Sequence, residues 1–305
     1  MQITTLLQEL GTPGHRLAMR ELKPLSGLGN EERQAFWGAW SAIPPRRREE
    51  IVHAMVELAE DNVDLDFGGP LLWMLEDDDA AVRAFAVEGL WENESPHLLH
   101  QLIKLLRVDP AAEVRTAAAI SLSHFAYLAE LGELDGSDAQ ALRDALLSAI
   151  LDQRQPLDVR RRALESVGYF AGSIDVQRQV EQAYRSDEQL LRESALVAMG
   201  RSMLPSWLPT IARELGSPSP ALRYEAARAA GEMAEDARAL VPKVAPLLNE
   251  QDGEVALAAI WALGQIGGDT AKRLLQQVRK SDDDARRQAA IDALEELSLE
   301  DGFFA

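Results

Sequence analysis

Small and apolar residues recur along this chain at helical spacing, in a pattern that returns about every 32 residues. The pattern reads Val or Leu, Arg, two variable residues and Ala. Its clearest copies are Val82–Ala86, Val114–Ala118, Val159–Ala163, Leu191–Ala195 and Leu222–Ala226, and two weaker copies are Val255–Ala259 and Ala285–Ala289. With the first residue counted as position 1, positions 1, 5, 8 and 12 share one face of an α-helix. This periodicity predicts a stacked array of helical repeats.

Two positions in the repeat carry small side chains. Position 5 is Ala in every copy, and position 10 is Gly in four copies, namely Gly168, Gly200, Gly231 and Gly264. Small residues at a fixed place allow neighbouring helices to approach closely. A second helical pattern precedes or follows each copy, and no segment alternates polar and apolar residues as a half-buried strand does. The sequence therefore predicts an all-α fold built from helix pairs.

The repeat carries a family resemblance. The segments Asp109–Leu122 and Leu222–Gly231 show best the order Asp, Val-Arg, Ala and Leu-Gly, and they resemble the short HEAT repeats of phycobilisome-lyase-like proteins. The resemblance implies a right-handed, armadillo-like α-solenoid of about seven repeats. It divides the chain into a divergent helical N-terminal cap (1–64), a HEAT-like repeat array (65–297) and an acidic and apolar C-terminal tail (298–305).

Three regions depart from the regular repeat. One interval is 45 residues long, and its surplus predicts an extended second helix and a loop near residues 126–138. In the cap, we expect Trp37 and Trp40 to fill a core that seals the stack. In the tail, Phe303 and Phe304 are expected to fold back on the last layer, with a linear motif for another protein as the alternative.

Charge restricts the classes of partner. The net charge is −19, and nine carboxylates without Lys or Arg lie between Glu57 and Asp79. Such a chain repels a phosphate backbone, so nucleic acid is not expected as a partner, whereas a basic protein is compatible. The chain has no Cys and neither a signal-like start nor a membrane-length apolar stretch. We expect no membrane partner and a cytoplasmic location.

Arginine occupies position 2 in six of the seven copies: Arg83, Arg115, Arg160, Arg192, Arg223 and Arg286. One interpretation is a basic ladder along a groove. The favoured interpretation is structural, with each guanidinium bridging to an Asp of a neighbouring turn, as in similar HEAT proteins. The two basic runs, Arg46–Arg48 and Arg160–Arg162, are expected to be solvated faces.

No motif predicts catalysis, a metal or a cofactor. His97 and His100 are spaced for one helix face but have no evident third ligand. Residues 62–68 approach a calcium loop, yet Phe67 stands where that loop requires Gly. Deoxyhypusine hydroxylase resembles this architecture and holds iron with His-Glu dipeptides, which this sequence lacks. We expect a protein that is not an enzyme.

Positions 3 and 7 lie opposite the buried face, where the resemblance puts the concave surface of the array. In two adjacent copies they hold Tyr224, Arg228, Leu257 and Trp261, residue types that dominate protein interfaces. Arg161 also occupies position 3. The alternative to an exposed binding surface is that Trp261 is buried against neighbouring helices. Trp91, at position 10 of the first copy, adds an aromatic side chain that either joins this face or packs under the cap.

These features predict a non-catalytic scaffold or adaptor that binds another protein on its concave face. The alternative is an accessory protein, similar to a lyase or chaperone, that presents a chromophore or client for modification. A third possibility is end-to-end assembly, although we expect a monomer or weak self-association.

Overall fold

The computed structural model describes residues 3–303, with side chains as far as Leu299. Within these residues it contains α-helices and short 3-10 helices and no β-strand, which confirms the all-α fold class. The predicted docking of Phe303 and Phe304 concerns side chains that lie outside the described residues. The chain forms two compact units, Met1–Ala163 and Leu164–Ala305.

The first unit contains nine α-helices in the described residues. They are α1 (Ile3–Leu10), α2 (Met19–Leu22), α3 (Arg33–Trp40), α4 (Pro45–Glu60), α5 (Gly68–Met74), α6 (Ala80–Glu88), α7 (Pro96–Val108), α8 (Ala112–Glu130) and α9 (Gly136–Leu151). The next helix, α10 (Leu157–Val167), spans the boundary between the units. The recognisable Arg motifs of this unit lie on α6, α8 and α10, each preceded by a partner helix.

The second unit repeats the same arrangement. Its helices are α11 (Ile174–Tyr184), α12 (Gln189–Ser202), α13 (Leu208–Glu214), α14 (Pro220–Glu232), α15 (Val241–Val244), α16 (Gly253–Ile266), α17 (Gly268–Val278) and α18 (Asp284–Phe303). Within this unit α12 packs on α14, α14 on α16 and α16 on α18, so the motif helices form consecutive layers.

Short polar turns begin the motif helices. The Asp79 carboxylate accepts hydrogen bonds from the main-chain N–H groups of Ala81 and Val82, and Asp252 does the same for Glu254 and Val255. Each Asp thereby satisfies N–H groups that the first turn of a helix leaves unpaired. These caps explain why the motif helices begin shortly before the Val-Arg pair.

The extended helix predicted in the long interval is present. Helix α8 runs from Ala112 to Glu130, nineteen residues, whereas α6 has nine. The loop after α8 is short, and α9 begins at Gly136 with Asp135 as its N-cap. The extra length of α8 extends one helix rather than adding an irregular loop.

The Ala at position 5 lies at the centre of the packing. Its side chain is fully buried in the first six copies, at Ala86, Ala118, Ala163, Ala195, Ala226 and Ala259. In the last copy the fully buried residue is Ala290, and Ala289 is partly exposed. The register on α18 is therefore one residue later than the sequence predicted, because the packing selects Ala290 and Ala293 and leaves Ala285 in solvent.

Glycine at position 10 brings motif helices of the second unit into close contact. A Cβ added to Gly200 would lie 2.9 Å from the Cα of Ala229, and one added to Gly168 would lie 2.8 Å from the Cα of Ala198. Gly231 and Gly264 meet Ala262 and Ala293 at 3.0 Å in the same way. No larger residue fits these places without moving a helix.

The N-terminal helices enclose an aromatic core. Trp40 and Phe36 of α3 are fully buried, their rings stack at 5.1 Å, and Trp73 of α5 meets Phe36 edge-on at 5.2 Å. Trp37 is only half-buried. The expectation of a tryptophan-filled cap core holds for Trp40, while Trp37 lies at its edge.

Candidate functional site

The arginines at position 2 close the turn that precedes each motif helix. In four copies the Nη1 group donates to the main-chain oxygen six residues earlier: Arg83 to Asp77 at 2.8 Å, Arg115 to Asp109 at 2.6 Å, Arg192 to Ser186 at 2.8 Å and Arg223 to Ser217 at 2.7 Å. These oxygens follow the end of the preceding helix, where carbonyl groups lack helical partners. The guanidinium groups thus donate hydrogen bonds to carbonyl groups in the turn between the two helices of a pair.

Several of these arginines also reach the next helix pair. Arg83 donates to both carboxylate oxygens of Asp109 at 2.9 and 2.8 Å, and this ion pair is buried. Arg115 donates to Gln155 at 2.9 Å, and Arg223 donates to Glu250 at 3.1 Å. The hydrogen bonds that Arg83 donates to the Asp109 carboxylate raise the pKa of Arg83. Arg83 bridges to an Asp, as the structural interpretation of the ladder expected, whereas Arg115 and Arg223 reach a Gln and a Glu.

Arg160 and Arg286 differ from the other ladder members. Arg160 donates from Nε to the main-chain oxygen of Ile150 at 3.2 Å. Arg286 donates to the main-chain oxygens of Leu248 and Glu250, while its neighbour Arg287 makes the bond to the oxygen six residues earlier. Arg287, not Arg286, is therefore the ladder residue of the last copy, in line with the register fixed by Ala290.

The basic run Arg46–Arg48 is not the solvated face that the sequence predicted. Arg46 is exposed, but only 4 % of the Arg48 side chain is accessible, and Arg48 donates to the buried Asp77 carboxylate at 2.9 Å. Asp77 also accepts the indole N–H of Trp40 at 2.6 Å. Arg47 is buried as well, since it donates to the main-chain oxygens of the N-terminal segment.

Arg48 is thus a further layer-joining arginine that the repeat motif did not reveal. Its second guanidinium nitrogen lies 2.6 Å from the Asp78 carboxylate and holds the pKa of that carboxyl below its ordinary value. The sequence signal that was available is the spacing: Arg48 precedes Asp77 by 29 residues, much as Arg83 precedes Asp109 by 26. Acidic residues at this spacing mark the acceptor turn of the following pair.

The predicted partner-binding residues of the second unit lie together on α14 and α16, and we call them the Trp261 patch. Tyr224, Arg228, Leu257 and Trp261 are each partly exposed. The guanidinium carbon of Arg228 lies 3.9 Å from the centre of the Trp261 ring, a cation–π contact. The other side of the indole covers Gly231, where an added Cβ would meet Cζ3 of Trp261 at 2.3 Å. The indole is therefore held in place and remains open to solvent on part of its surface.

Arg161 belongs to the first unit and lies on α10. Its Nε donates to the Asp158 carboxylate at 3.0 Å, one turn earlier on the same helix, and 18 % of its side chain is accessible. This contact holds the guanidinium against its own helix.

A surface that the sequence did not single out lies in the first unit, and we call it the Trp91 groove. It is a cavity of about 430 Å³ between the end of α6 and the middle of α8. Val87, Leu90, Ala117 and Phe125 form part of its lining. On its rim Trp91 is 59 % exposed and Ile120 is 50 % exposed. Trp91 is therefore not packed under the cap, which was one of its two predicted placements.

The Trp91 groove is acidic. Its lining lies within residues 87–93 and 117–125, which contain two glutamates, Glu88 and Glu92, and no Lys or Arg. His124 lies 2.9 Å from the Glu94 carboxylate. Burial raises the pKa of the Glu88 carboxyl, and the nearby His53 lowers it by a smaller amount. A carboxylate that is partly removed from water and lacks a close guanidinium attracts a cationic group from outside.

Two of the candidate metal ligands, His100 and Asp66, have ordinary partners. His100 lies 2.8 Å from the Asp138 carboxylate, and the Asp66 carboxylate accepts the main-chain N–H of Gly68. In residues 3–303 no group of three or more His, Cys, Asp or Glu has the arrangement of a metal site. Over the same residues, no helix is long and apolar enough to cross a bilayer.

Comparison with one solved structure, at a TM-score of 0.50, supports the fold, and a second match is weaker. The complex of CpcE and CpcF of phycocyanin lyase from Nostoc sp. PCC7120 matches with a TM-score of 0.50 and 17% identity, over 74% of this chain and 93% of that chain. The Escherichia coli protein YibA matches with a TM-score of 0.46 and 17% identity, over 81% and 96% of the two chains. At this level of identity the likeness concerns the fold alone.

The sequence comparison identifies the family. No curated protein matches the full sequence. The family profile described as HEAT repeats matches residues 69–154 and 208–295, which together make up more than half of the chain. These two regions contain the motif helices α6, α8, α14 and α16, on which the Trp91 groove and the Trp261 patch lie. The chain belongs to the HEAT-repeat family.

Proposed function

We propose that this HEAT-repeat protein is a non-catalytic scaffold or adaptor that binds another protein through motif positions 3 and 7. The observation that carries the proposal is the Trp261 patch, where Tyr224, Leu257 and Trp261 remain partly exposed on adjacent helices. A soluble protein rarely leaves neighbouring aromatic and apolar side chains in water without a use. Trp, Tyr and Arg are also the residue types that dominate binding energy at interfaces.

The geometry of the patch favours binding because its central side chains are already held in place. The Arg228 guanidinium covers one part of the Trp261 ring at 3.9 Å, and Gly231 supports another part. Because these side chains are already ordered, binding of a partner here costs little side-chain conformational entropy. Glu232, 3.7 Å from the Arg228 guanidinium, restrains it further.

A non-catalytic role is supported by the partners of the buried polar groups. Glu165 of α10 is buried and accepts the Ser194 hydroxyl at 2.6 Å, and Asp77 accepts Arg48 and Trp40. These contacts join helices to one another. Catalytic groups are more typically found in a cleft with strongly perturbed pKa values and a partner aimed at substrate.

The test is affinity purification with the full chain, followed by binding of purified components. The patch variant is Tyr224→Ala/Arg228→Glu, which leaves Trp261 on its glycine support. The matched control is Ile174→Ala, an exposed apolar residue of the same unit outside the patch. We expect a protein partner that binds wild type and the control equally and binds the patch variant about tenfold or more weakly.

Two outcomes would count against the proposal. Equal binding of the partner to wild type and to the patch variant, with unchanged helicity and melting temperature, would remove the Trp261 patch as the site. Absence of any directly binding protein, together with an absorbance shift on addition of a tetrapyrrole, would favour the accessory role in presenting a chromophore. Light scattering at several protein concentrations would reveal self-assembly as the third possibility.

A further inference from the structure

We infer that the Trp91 groove, together with an apolar stripe along α8, binds a basic amphipathic helix of a partner protein. The inference rests on the proposed scaffold function, but it concerns a second surface, in the other unit, and names the chemistry of its occupant.

The apolar stripe begins in the groove and continues along α8. Ile120, Tyr127 and Leu131 are 50 %, 45 % and 52 % exposed, although all three are large and apolar or aromatic. Their spacing of seven and four residues puts them on one side of the helix, with His124 between them. Trp91 stands beside the start of this line, because it and Ile120 line the same cavity.

The stripe has the dimensions of a helix-binding surface. From Ile120 to Leu131 the helix rises about 16 Å, which corresponds to three turns of a partner helix. Apolar anchors at i, i+3 or i+4 and i+7 are the usual recognition elements of a helix in a groove. The 430 Å³ cavity at one end is large enough to receive one bulky apolar side chain. The additional length of α8, which supplies Tyr127 and puts Leu131 at its C-cap, has no counterpart in the shorter motif helices α6 and α10.

Charge identifies which helix fits. Glu88 lines the groove, and Glu94 lies 2.9 Å from His124, which also lines it. The lining residues include no Lys or Arg. An acidic helix would be repelled by these carboxylates, and a neutral apolar helix would bring no opposite charge to Glu88. A helix with an apolar face and flanking Lys or Arg would bury its anchors in the stripe and direct its cations toward the glutamates.

The Trp91 indole favours the same occupant. An exposed indole face attracts ammonium and guanidinium groups, and the Glu88 carboxylate on the same cavity adds an opposite charge. Together they form a place for one Lys or Arg next to an apolar anchor. An anionic ligand would be repelled by the Glu88 carboxylate and would not be attracted to the indole face.

The probe is a fluorescently labelled synthetic peptide of about 16 residues, helical in design, with leucines at the i, i+4 and i+7 spacing and lysines on both flanks. Its control carries the same leucines with every Lys replaced by Glu. Binding to the full chain is followed by fluorescence anisotropy. The protein variants are Trp91→Ala, Ile120→Ser and Glu88→Gln/Glu92→Gln, and the matched control is Val108→Ala, an exposed apolar residue of the same unit outside the groove.

We expect the Lys peptide to bind wild type and Val108→Ala equally and the Glu peptide not to bind. Trp91→Ala and Ile120→Ser should each weaken binding about tenfold or more. The double Gln variant keeps the apolar surface and should weaken binding about threefold to tenfold, with a smaller dependence on salt. Circular dichroism and melting curves check that each variant is folded.

Several results would overturn the inference. They are the absence of saturable binding up to about 1 mM Lys peptide, equal binding of both peptides, and unchanged binding in Trp91→Ala. Concentration-dependent self-association that Trp91→Ala abolishes would assign the stripe to a second copy instead. The proposed function fails separately: if the peptide does not bind but a protein partner is lost from Tyr224→Ala/Arg228→Glu, the scaffold role stands and only this inference falls.

Discussion

The same repeat motif produces two different surfaces in the two units. In the first unit, α6 and α8 leave an open cavity between them, with Trp91 and Ile120 on its rim. In the second unit, α14 and α16 close against each other, and Trp261 lies over Gly231. Position 10 accounts for much of the difference, since it is Trp91 and Ser123 in the first two copies and Gly in the next four.

This contrast shows how a repeat protein varies its surface while it preserves its core. The Ala at position 5 is fully buried in both units, so the inner packing is the same. A single position near the end of the helix then decides whether the next layer approaches closely or leaves a groove. A glycine allows the approach because it lacks a Cβ, and a tryptophan prevents it. The surfaces of this array therefore differ through residues just outside the core that the repeats share.

The largest effect is expected at the buried ion pair that joins helices of the first unit. Asp77→Ala should lower the free energy of unfolding by about 3–4 kcal/mol, because it leaves the buried Trp40 indole N–H without its acceptor and leaves the buried Arg48 guanidinium with the exposed Asp78 carboxylate as its remaining ion-pair partner. Urea denaturation at neutral pH measures this change. The corresponding change in the second unit, Glu250→Ala, should cost about 1 kcal/mol or less, since the Arg223–Glu250 pair is more accessible.

If Asp77→Ala and Glu250→Ala lower the free energy of unfolding by the same amount, burial of the Arg48–Asp77 ion pair does not make it more important for stability than the accessible Arg223–Glu250 pair. Asp77→Asn serves as a control for shape, because it retains an acceptor oxygen at the same place. Its loss of stability should be smaller than that of Asp77→Ala.

The next effect is expected at the close helix contacts of the second unit. Gly200→Ala should lower the free energy of unfolding by about 2–3 kcal/mol, because its new Cβ would lie 2.9 Å from the Cα of Ala229 and must displace a helix. The matched control is Gly38→Ala on α3, where nothing lies within 4 Å of the added Cβ. That substitution should stabilise the protein by about 0.5–1 kcal/mol, as Ala does on an open helix surface. Destabilisation by both, to the same extent, would show that close approach is not the cause.

Substitutions of Trp261 and Trp91 should distinguish an effect on stability from an effect on binding. Trp261→Ala should cost about 2 kcal/mol, because the indole packs on Gly231 and under the Arg228 guanidinium. Trp91→Ala should change stability by less than about 0.5 kcal/mol, since the side chain is largely exposed, while it weakens binding of the Lys peptide. Thermal melts of the two variants, run in parallel, measure the difference. A larger loss in Trp91→Ala would mean that the groove is a closed part of the core.

The fold could be predicted from the sequence because its determinants are local and repeated. Each Ala at position 5 and each Arg at position 2 recurs with the helix pair, so the pattern contains both the helix face and the layer spacing. The sequence prediction placed the last copy one residue early because both Arg286 and Arg287 fit position 2 of the motif when the sequence alone is considered. Only packing, which buries Ala290, selects between them.

The candidate sites were less predictable because they depend on contacts between side chains at positions that the repeat motif does not specify. The sequence brought Tyr224, Arg228, Leu257 and Trp261 to one face, but it did not show that glycine supports the indole. Arg48 looked like a solvated charge because its acceptor, Asp77, lies 29 residues away and outside the motif. The Trp91 groove was missed because a cavity is a relation between two helices and cannot be recognised from one.

The smallest effect is expected from the pH dependence of Glu88 on the groove wall. Burial raises the pKa of this carboxyl, so the folded protein holds a proton that the unfolded chain has already released. The free energy of unfolding should therefore fall as the pH rises from the ordinary Glu pKa of 4.5 through the raised value, and Glu88→Gln should remove this decline. The change should be well below about 1 kcal/mol, because the side chain is partly open to solvent.

Binding of the Lys peptide should change in the opposite direction over the same pH window. Ionised Glu88 attracts a Lys side chain and protonated Glu88 does not, so affinity should rise as the pH rises while stability falls. His124 on α8 lines the groove, Glu94 lies 2.9 Å from His124, and His53 on α4 interacts with Glu88. Glu88→Gln retains all three. The difference between wild type and Glu88→Gln, measured by urea denaturation and by anisotropy between about pH 5 and 7, therefore isolates one carboxyl. If stability and affinity change in the same direction, Glu88 does not face the bound cation, and the acidic wall of the Trp91 groove acts through its other glutamates.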